Sequence, residues 1–423
     1  MNQPTKDEYV YKYSGGFATY PQQHVPIAIY SKEADKTFFV YGGTVPGKRE
    51  LLHMVSYYDH KTKSVPRPVI LLDKKTDDAH DNPVLSIDAQ GHLWVFSNAH
   101  GTSRPSYIHR STKPYSIDSF EKTYDGNFSY GNPWFLEKFG FLFLHTQYNK
   151  RNERALFWAT SRDGREWSER KELAFIEKGN YLLSWSDGKR VGAVIDYHPE
   201  PVGLNARTNV YYFETRDAGK TWTNVKGEKL DVPLRNRHNP ALVRDYKAED
   251  LLVYKKDLRF DRHGRPVILY LTSKGWNPGP KGGPHQWHTA HWTGTEWRIR
   301  PFTGSDHNYD FGSLYIEPDG TWRIIAPTDP GPEPYGTGGE MVMWISRNEG
   351  TRWTRMKNLT PNSATMHTYA RRPLNAHPDF YAIWADGSTR RPSESRLYFT
   401  DRTGTRVRQL PADMKTNSHT RIP

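Results

Sequence analysis

The chain has 423 residues, 59 Lys and Arg against 47 Asp and Glu for a formal net charge of +12, 14% aromatic residues and no cysteine. Without thiols there are no disulfides, thiolate metal sites, iron–sulfur clusters or cysteine nucleophiles. The aromatic load argues against a disordered chain, and no apolar run approaches the 18 residues of a membrane span.

In chain order, short segments rich in β-branched and aromatic residues follow one another at 69–73, 92–97, 139–148, 154–161, 209–216, 250–255, 266–273, 321–327, 340–346, 379–385 and 396–400. No long stretch carries a 3.6-residue apolar period, so the chain is expected to be all-β. Asp-Gly pairs at Asp163-Gly164, Asp187-Gly188, Asp319-Gly320 and Asp386-Gly387 punctuate the strands as tight turns.

An internal repeat lies among these turns. Ser161-Arg-Asp163-Gly-Arg-Glu-Trp167, Thr215-Arg-Asp217-Ala-Gly219-Lys-Thr-Trp222 and Ser346-Arg-Asn348-Glu-Gly350-Thr-Arg-Trp353 share the form [ST]-x-[DN]-x-G-x-x-W, one residue shorter in the first copy. The hydroxyl and the carboxylate or amide can hold the turn backbone, Gly takes the left-handed position, and Trp packs back on the sheet. This resembles the Asp-box, or BNR, repeat of β-propellers. At about 60 residues per four-stranded blade, the length suits a seven-bladed β-propeller. The expectation is one domain over 1–423, with a ring over roughly 20–410 and short flexible termini. The Asp-box aspartates are read as structural.

Candidate chemistry lies in loops away from those turns. His80 precedes and His100 follows the hairpin 84–96, whose open end should bring them together as an acid/base or ligand pair. Tyr130, Arg207, His238, His307, His367 and Arg371 stand in comparable positions before later strands. His285, His288 and His291 invite a zinc reading, but alternation along a strand divides them between faces.

The segments HDNPVLSIDAQGHLWVFSNAHG, ARTNVYYFETRDAGKTW, SDHNYDFGSLY, GTGGEMVMWIS and HTYARRPLNAHPDFYAIWADG resemble the BNR-repeat-containing family that includes propeller-type polysaccharide lyases, of the ulvan lyase and rhamnose–glucuronate lyase kinds. The resemblance implies cleavage of a uronic-acid-containing glycan by β-elimination, leaving a 4,5-unsaturated uronate end. It implies His80, His100, Tyr130 and Arg207 as catalytic residues. The family's strand-end arginine falls within Leu144–Tyr148, where no Arg stands, so Arg207 or Arg154 must serve instead. Tyr197, Arg154, Tyr148, His238, His307, His367 and Arg371 follow as substrate contacts. No cofactor is required for the chemistry, and the family allows a structural Ca2+ or Zn2+. The implied partner is an acidic polysaccharide or oligosaccharide, with no nucleic acid and no membrane span, acting on a monomer. The location is secreted, periplasmic or cell-surface, and since no basic-plus-apolar leader opens the chain, an exported protein is expected in processed form.

The chemistry explains the residue types. A guanidinium against the uronate carboxylate stabilises charge that develops as the C5 proton leaves. His or Tyr removes that proton, and a second such group protonates the departing C4 oxygen. The alternatives are a non-catalytic carbohydrate-binding propeller and a glycoside hydrolase. The latter needs two carboxylates across the bond, for which Asp306 and Asp310 are the main candidates.

Overall fold

A computed structural model describes residues 18–44, 50–391, 393–411 and 420–422. The expected flexible ends, at 1–17, 412–419 and 423, lie outside these residues. The described chain is strand after strand, with three short 3-10 turns at Ala79–Asp81, Gly203–Ala206 and Gly279–Lys281.

Seven sheets succeed one another. Sheet 1 holds Ala28–Ser31, Lys36–Gly43, Leu52–Asp59 and Ser64–Val65 in order, with Val69–Asp73 added to its third strand and Thr420–Arg421 to its fourth. Sheets 2 to 7 are four-stranded and run in sequence order, spanning 83–126, 129–174, 182–244, 252–305, 313–358 and 366–409. Hairpin connections of this kind follow from the Gly- and Asp-rich turns. The fold is the seven-bladed β-propeller that the repeat predicts.

Burial within a sheet follows strand position. Thr208–Thr215, third in sheet 4, is buried at every residue, whereas Thr354–Asn358, fourth in sheet 6, is mostly exposed. A strand covered on both faces reads as a continuous apolar and aromatic run, and TNVYYFET fits that rule. Trp94, Trp134, Trp222, Trp287, Trp322 and Trp384 are among the largest fully buried side chains. Flat rings of this size supply much of the apolar area that holds sheets together.

The Asp-box turns have the bonding that their sequences predict. Gly164, Gly219 and Gly350 take φ of 75°, 86° and 74°. Their amides donate to Ser161, Thr215 and Ser346 Oγ at 2.8, 2.8 and 3.0 Å. Asp163 and Asp217 Oδ1 each accept further amides of the turn. Asn348 Oδ1 does the same for Arg352. Trp222 packs edge-on against Phe213, and Trp353 lies against Phe302 with the rings tilted by 40°. These side chains are occupied in holding the turns.

The chain divides into two compact units. The first comprises Met1–Ser129, Ile325–Met343 and Lys357–Pro423; the second comprises Tyr130–Ile324 and Trp344–Met356. No helix among the described residues is long and apolar enough to cross a membrane.

Candidate functional site

Two groups of buried polar residues stand out, one in each unit.

In the first unit, the hairpin does what its sequence predicts. The rings of His80 and His100 stack with centroids 3.9 Å apart. The cause lies in a residue that the sequence did not single out. Asp78 caps the turn Ala79–Asp81 by accepting the His80 amide at 3.1 Å. Its Oδ1 also meets His80 Nδ1 at 2.6 Å, and its Oδ2 meets His100 Nδ1 at 2.8 Å. An ionised carboxylate only accepts, so each imidazole carries its proton on Nδ1 and turns Nε2 outward from the aspartate. Burial opposes ionisation of Asp78, but the two histidines outweigh it and hold the carboxyl well below its ordinary range.

Asp81, fully buried, fixes the other side of the hairpin. It accepts the His100 amide at 2.7 Å and a two-pronged contact from Arg104, with Nε and Nη2 both at 2.8 Å. Lys74 stands 3.4 Å from it. The phenol of Tyr20 reaches His80 Nε2 at 2.7 Å, completing a Tyr20–His80–Asp78 chain. Arg371 holds the Tyr20 segment in place. Its guanidinium donates to the carbonyls of Thr19 at 2.8 Å, Pro21 at 2.9 Å and His24. All of these donors meet backbone carbonyls, so Arg371 is an anchor for the loop that carries Tyr20. His367 is likewise built into the sheet, between Ser363 Oγ at 2.8 Å and Trp384 Nε1 at 3.0 Å.

The second unit gathers arginines and tyrosines. Tyr130, Tyr148 and Tyr181 form one buried cluster with Leu204 against it. The hydroxyls of Tyr130 and Tyr181 are 3.5 Å apart. Tyr130 sits inside a strand with φ of 51°, in the left-handed region. A non-glycine residue held there costs about 1–3 kcal/mol and persists where its surroundings dictate it. Arg154 lies over the rings of Tyr148 and Tyr181 at 5.0 and 5.1 Å. Arg207, 2% exposed, lies over Tyr254, Tyr181 and Tyr309 at 4.4, 5.2 and 5.4 Å and donates to the Tyr309 hydroxyl at 2.5 Å. Its Nε meets the Leu204 carbonyl at 3.2 Å.

Neither arginine makes an ion pair with a carboxylate among the described residues. Asp196, whose charge bears on Arg207, is bonded to Lys255 instead. Burial, then Arg154 and Arg207, hold the His198 imidazole well below its ordinary pKa, and His198 Nε2 is buried without a hydrogen-bond partner. Burial raises the Tyr254 phenol, and Arg207 only partly offsets it.

Other predicted residues have partners of their own. Tyr197 is beside Tyr211, with ring centroids 6.4 Å apart, and a register shift separates Ile195 from Tyr197 at that end of the strand. His238 is exposed, with Arg237 Nε 3.1 Å from its Nε2. The His307 ring accepts the Tyr309 amide at 2.9 Å and so shapes the loop that presents Tyr309. His288 Nε2 is 3.0 Å from Thr272 and His291 Nε2 is 2.9 Å from Asp261, so these rings have separate partners. The sequence reading missed Tyr20, Asp78, Asp81, Arg104, Tyr181, His198, Tyr254 and Tyr309. For Asp78 a signal existed, since Asp two residues before His at a strand entrance is a capping position.

Asp78, His80 and His100 could in principle offer a metal three donors within 4.8 Å of one another. They do not fit one. Both aspartate oxygens already accept imidazole protons, and Arg104 Nη2 stands 3.1 Å from Oδ2. A cation at that point would meet a guanidinium.

With this geometry in place, comparison with known proteins is informative. The model of the BNR repeat-containing family matches residues 49–305, more than half of the chain. An ulvan lyase of Pseudoalteromonas sp. (strain PLSV) is 23% identical over 53% of this chain, which spans 52% of that enzyme's length. An ulvan lyase of Nonlabens ulvanivorans is 24% identical over 91% of this chain and 88% of its own. Among solved structures, a PL25 ulvan lyase bound to -[GlcA(1-4)Rha3S]- superposes with a TM-score of 0.71 at 18% identity, covering 93% of this chain and 95% of that one. These likenesses agree with the seven sheets and the three Asp-box turns, and the chain belongs to the BNR repeat-containing family.

Proposed function

We propose that this protein is a polysaccharide lyase that cleaves a uronate-containing glycan by β-elimination. One observation carries the reading: among the described residues, the buried guanidinium of Arg207 and the partly buried one of Arg154 lie against tyrosine rings and make no ion pair with a carboxylate. Buried charges are paired in the great majority of folds, because an unpaired one is costly. A tyrosine-lined cluster that keeps two guanidiniums without a salt bridge is suited to an anion brought by the ligand. A uronate supplies that anion next to the C–H bond to be broken, and the family relatives named as ulvan lyases support this choice of polymer. At about 4 Å and an effective dielectric of about 20, one such pair is worth roughly 4 kcal/mol before desolvation is counted.

In the reaction, a base takes the C5 proton, the electron pair forms the C4–C5 double bond, and the C4–O bond breaks. The departing oxygen takes a proton from the acid. Within the second unit, Arg207 and Arg154 neutralise the carboxylate and Tyr130 is a proton carrier. Taken by itself, the first unit offers His80 and His100 as groups able to carry protons, their Nε2 atoms aimed by Asp78. A hydrolase reading is weaker, because Asp310 is buried and takes the Ser305 hydroxyl, while Asp78 and Asp81 are committed to imidazoles and a guanidinium. The reading extends to a secreted, periplasmic or cell-surface enzyme, where a large acidic polymer is met, acting as a monomer.

The test is incubation with a panel of uronate polysaccharides while following the ultraviolet absorbance of the unsaturated uronate. That absorbance should rise together with new reducing ends. Reducing ends without it would mean hydrolysis, and binding without turnover on every polymer would mean a lectin.

A further inference from the structure

We propose that His60, His377 and Asp379 bind a divalent transition-metal ion, zinc foremost, which staples the end of the third strand of sheet 1 to the loop leading into the second strand of sheet 7. The three residues belong to the first unit and place their donor atoms within 4.8 Å of one another. They lie outside the groups described above.

Local structure brings them together from opposite ends of the chain. His60 follows the strand Leu52–Asp59, and its amide donates to the Asp35 carbonyl at 3.1 Å. His377 and Asp379 share a tight turn in which the Phe380 amide donates to the His377 carbonyl at 3.0 Å. The two rings are 3.8 Å apart between centroids, tilted by 47°, with Tyr30 against both.

The donor chemistry is that of a zinc site. His60 is 8% exposed; its Nε2 is 2.8 Å from Thr37 Oγ1, while its Nδ1 is buried with no hydrogen-bond partner. A buried imidazole nitrogen left without a partner is costly unless something binds there. Asp35, Asp379 and Asp59 all bear on that ring with negative charge. His377 and Asp379 are half-buried, which leaves room for water as a further ligand. Two imidazoles with one carboxylate and an open position suit zinc. Calcium requires six to eight oxygens, which this group does not offer.

The test is calorimetric titration of the chelator-treated full chain with zinc sulfate, in parallel with calcium chloride. One zinc per chain should bind, with a rise in thermal midpoint as for any ligand selective for the folded state, and calcium should do neither. His60→Ala and Asp379→Asn should each weaken zinc at least about tenfold. His377→Gln, at a half-buried position, gives the same readout if His60→Ala does not fold. In the cobalt-substituted protein, visible absorption bands of four-coordinate cobalt should appear and be lost in His377→Gln. Absence of stoichiometric zinc binding would overturn the proposal, as would undiminished binding in His377→Gln and Asp379→Asn, or calcium binding that matches zinc. None of these readouts depends on lyase activity.

Discussion

The polar group of the first unit and that of the second solve opposite electrostatic problems. Around Asp78, every charge has a partner within the protein: two imidazoles and Arg104 for Asp78, Arg104 and Lys74 for Asp81. Around Arg207 and Arg154, the cations face phenol rings and no carboxylate. The first arrangement is complete without ligand and serves to aim two imidazoles. On the proposed reading, the second gains most when an anion enters. Fixed donors and charges poised for charge that arrives with the substrate are the usual source of electrostatic catalysis.

That contrast is open to direct attack. The largest effect on stability belongs to the closed network. Asp78→Ala strands two imidazole N–H groups and Arg104, and chemical denaturation should show a loss of about 3–5 kcal/mol. Arg207→Met should behave in the opposite way, folding at least as stably as the parent while losing about 10²–10³-fold in turnover of the uronate polymer. Equal destabilisation by both substitutions would erase the distinction between the two regions.

A smaller effect concerns acid. His367 has a pKa of about 4 through burial, and His198 is held low by burial and the two arginines. Their folded values lie below the unfolded value of about 6.5. The unfolded chain therefore binds more protons between about pH 6.5 and 4, and stability should fall as pH drops through that window. Added sulfate or a uronate oligosaccharide should soften the fall at His198, by screening the cations beside it, and leave that at His367 unaltered. Thermal melts of His198→Gln and His367→Gln across that range would separate the two contributions. The smallest effect is that of Tyr20→Phe, which removes one hydrogen bond to His80 and should cost about 1 kcal/mol of stability.

Much of the frame was readable in the chain. Strands, Asp-box turns and the meeting of His80 with His100 follow from neighbours a few residues apart, whose turn chemistry and period-2 burial act locally. Arg371 shows where such reading stops. In sequence it is one more basic residue before a strand; in the fold it grips carbonyls of Thr19, Pro21 and His24, from the other end of the chain. Tyr197 teaches the same lesson at shorter range, since Asp196 and Tyr197 are adjacent in sequence yet join different neighbours.

Thus composition, repeat and hairpin logic decided the all-β architecture, the Asp-box turns and the histidine pair, because each depends on contacts that span a single turn. Tertiary structure alone decided that Asp78 would hold both imidazoles, that Tyr20 would join them, that Arg154 and Arg207 would lie among tyrosine rings without a salt bridge, and that His60 would meet His377. Those outcomes depend on which distant side chains share a volume of low dielectric, and local propensity carries no information about that.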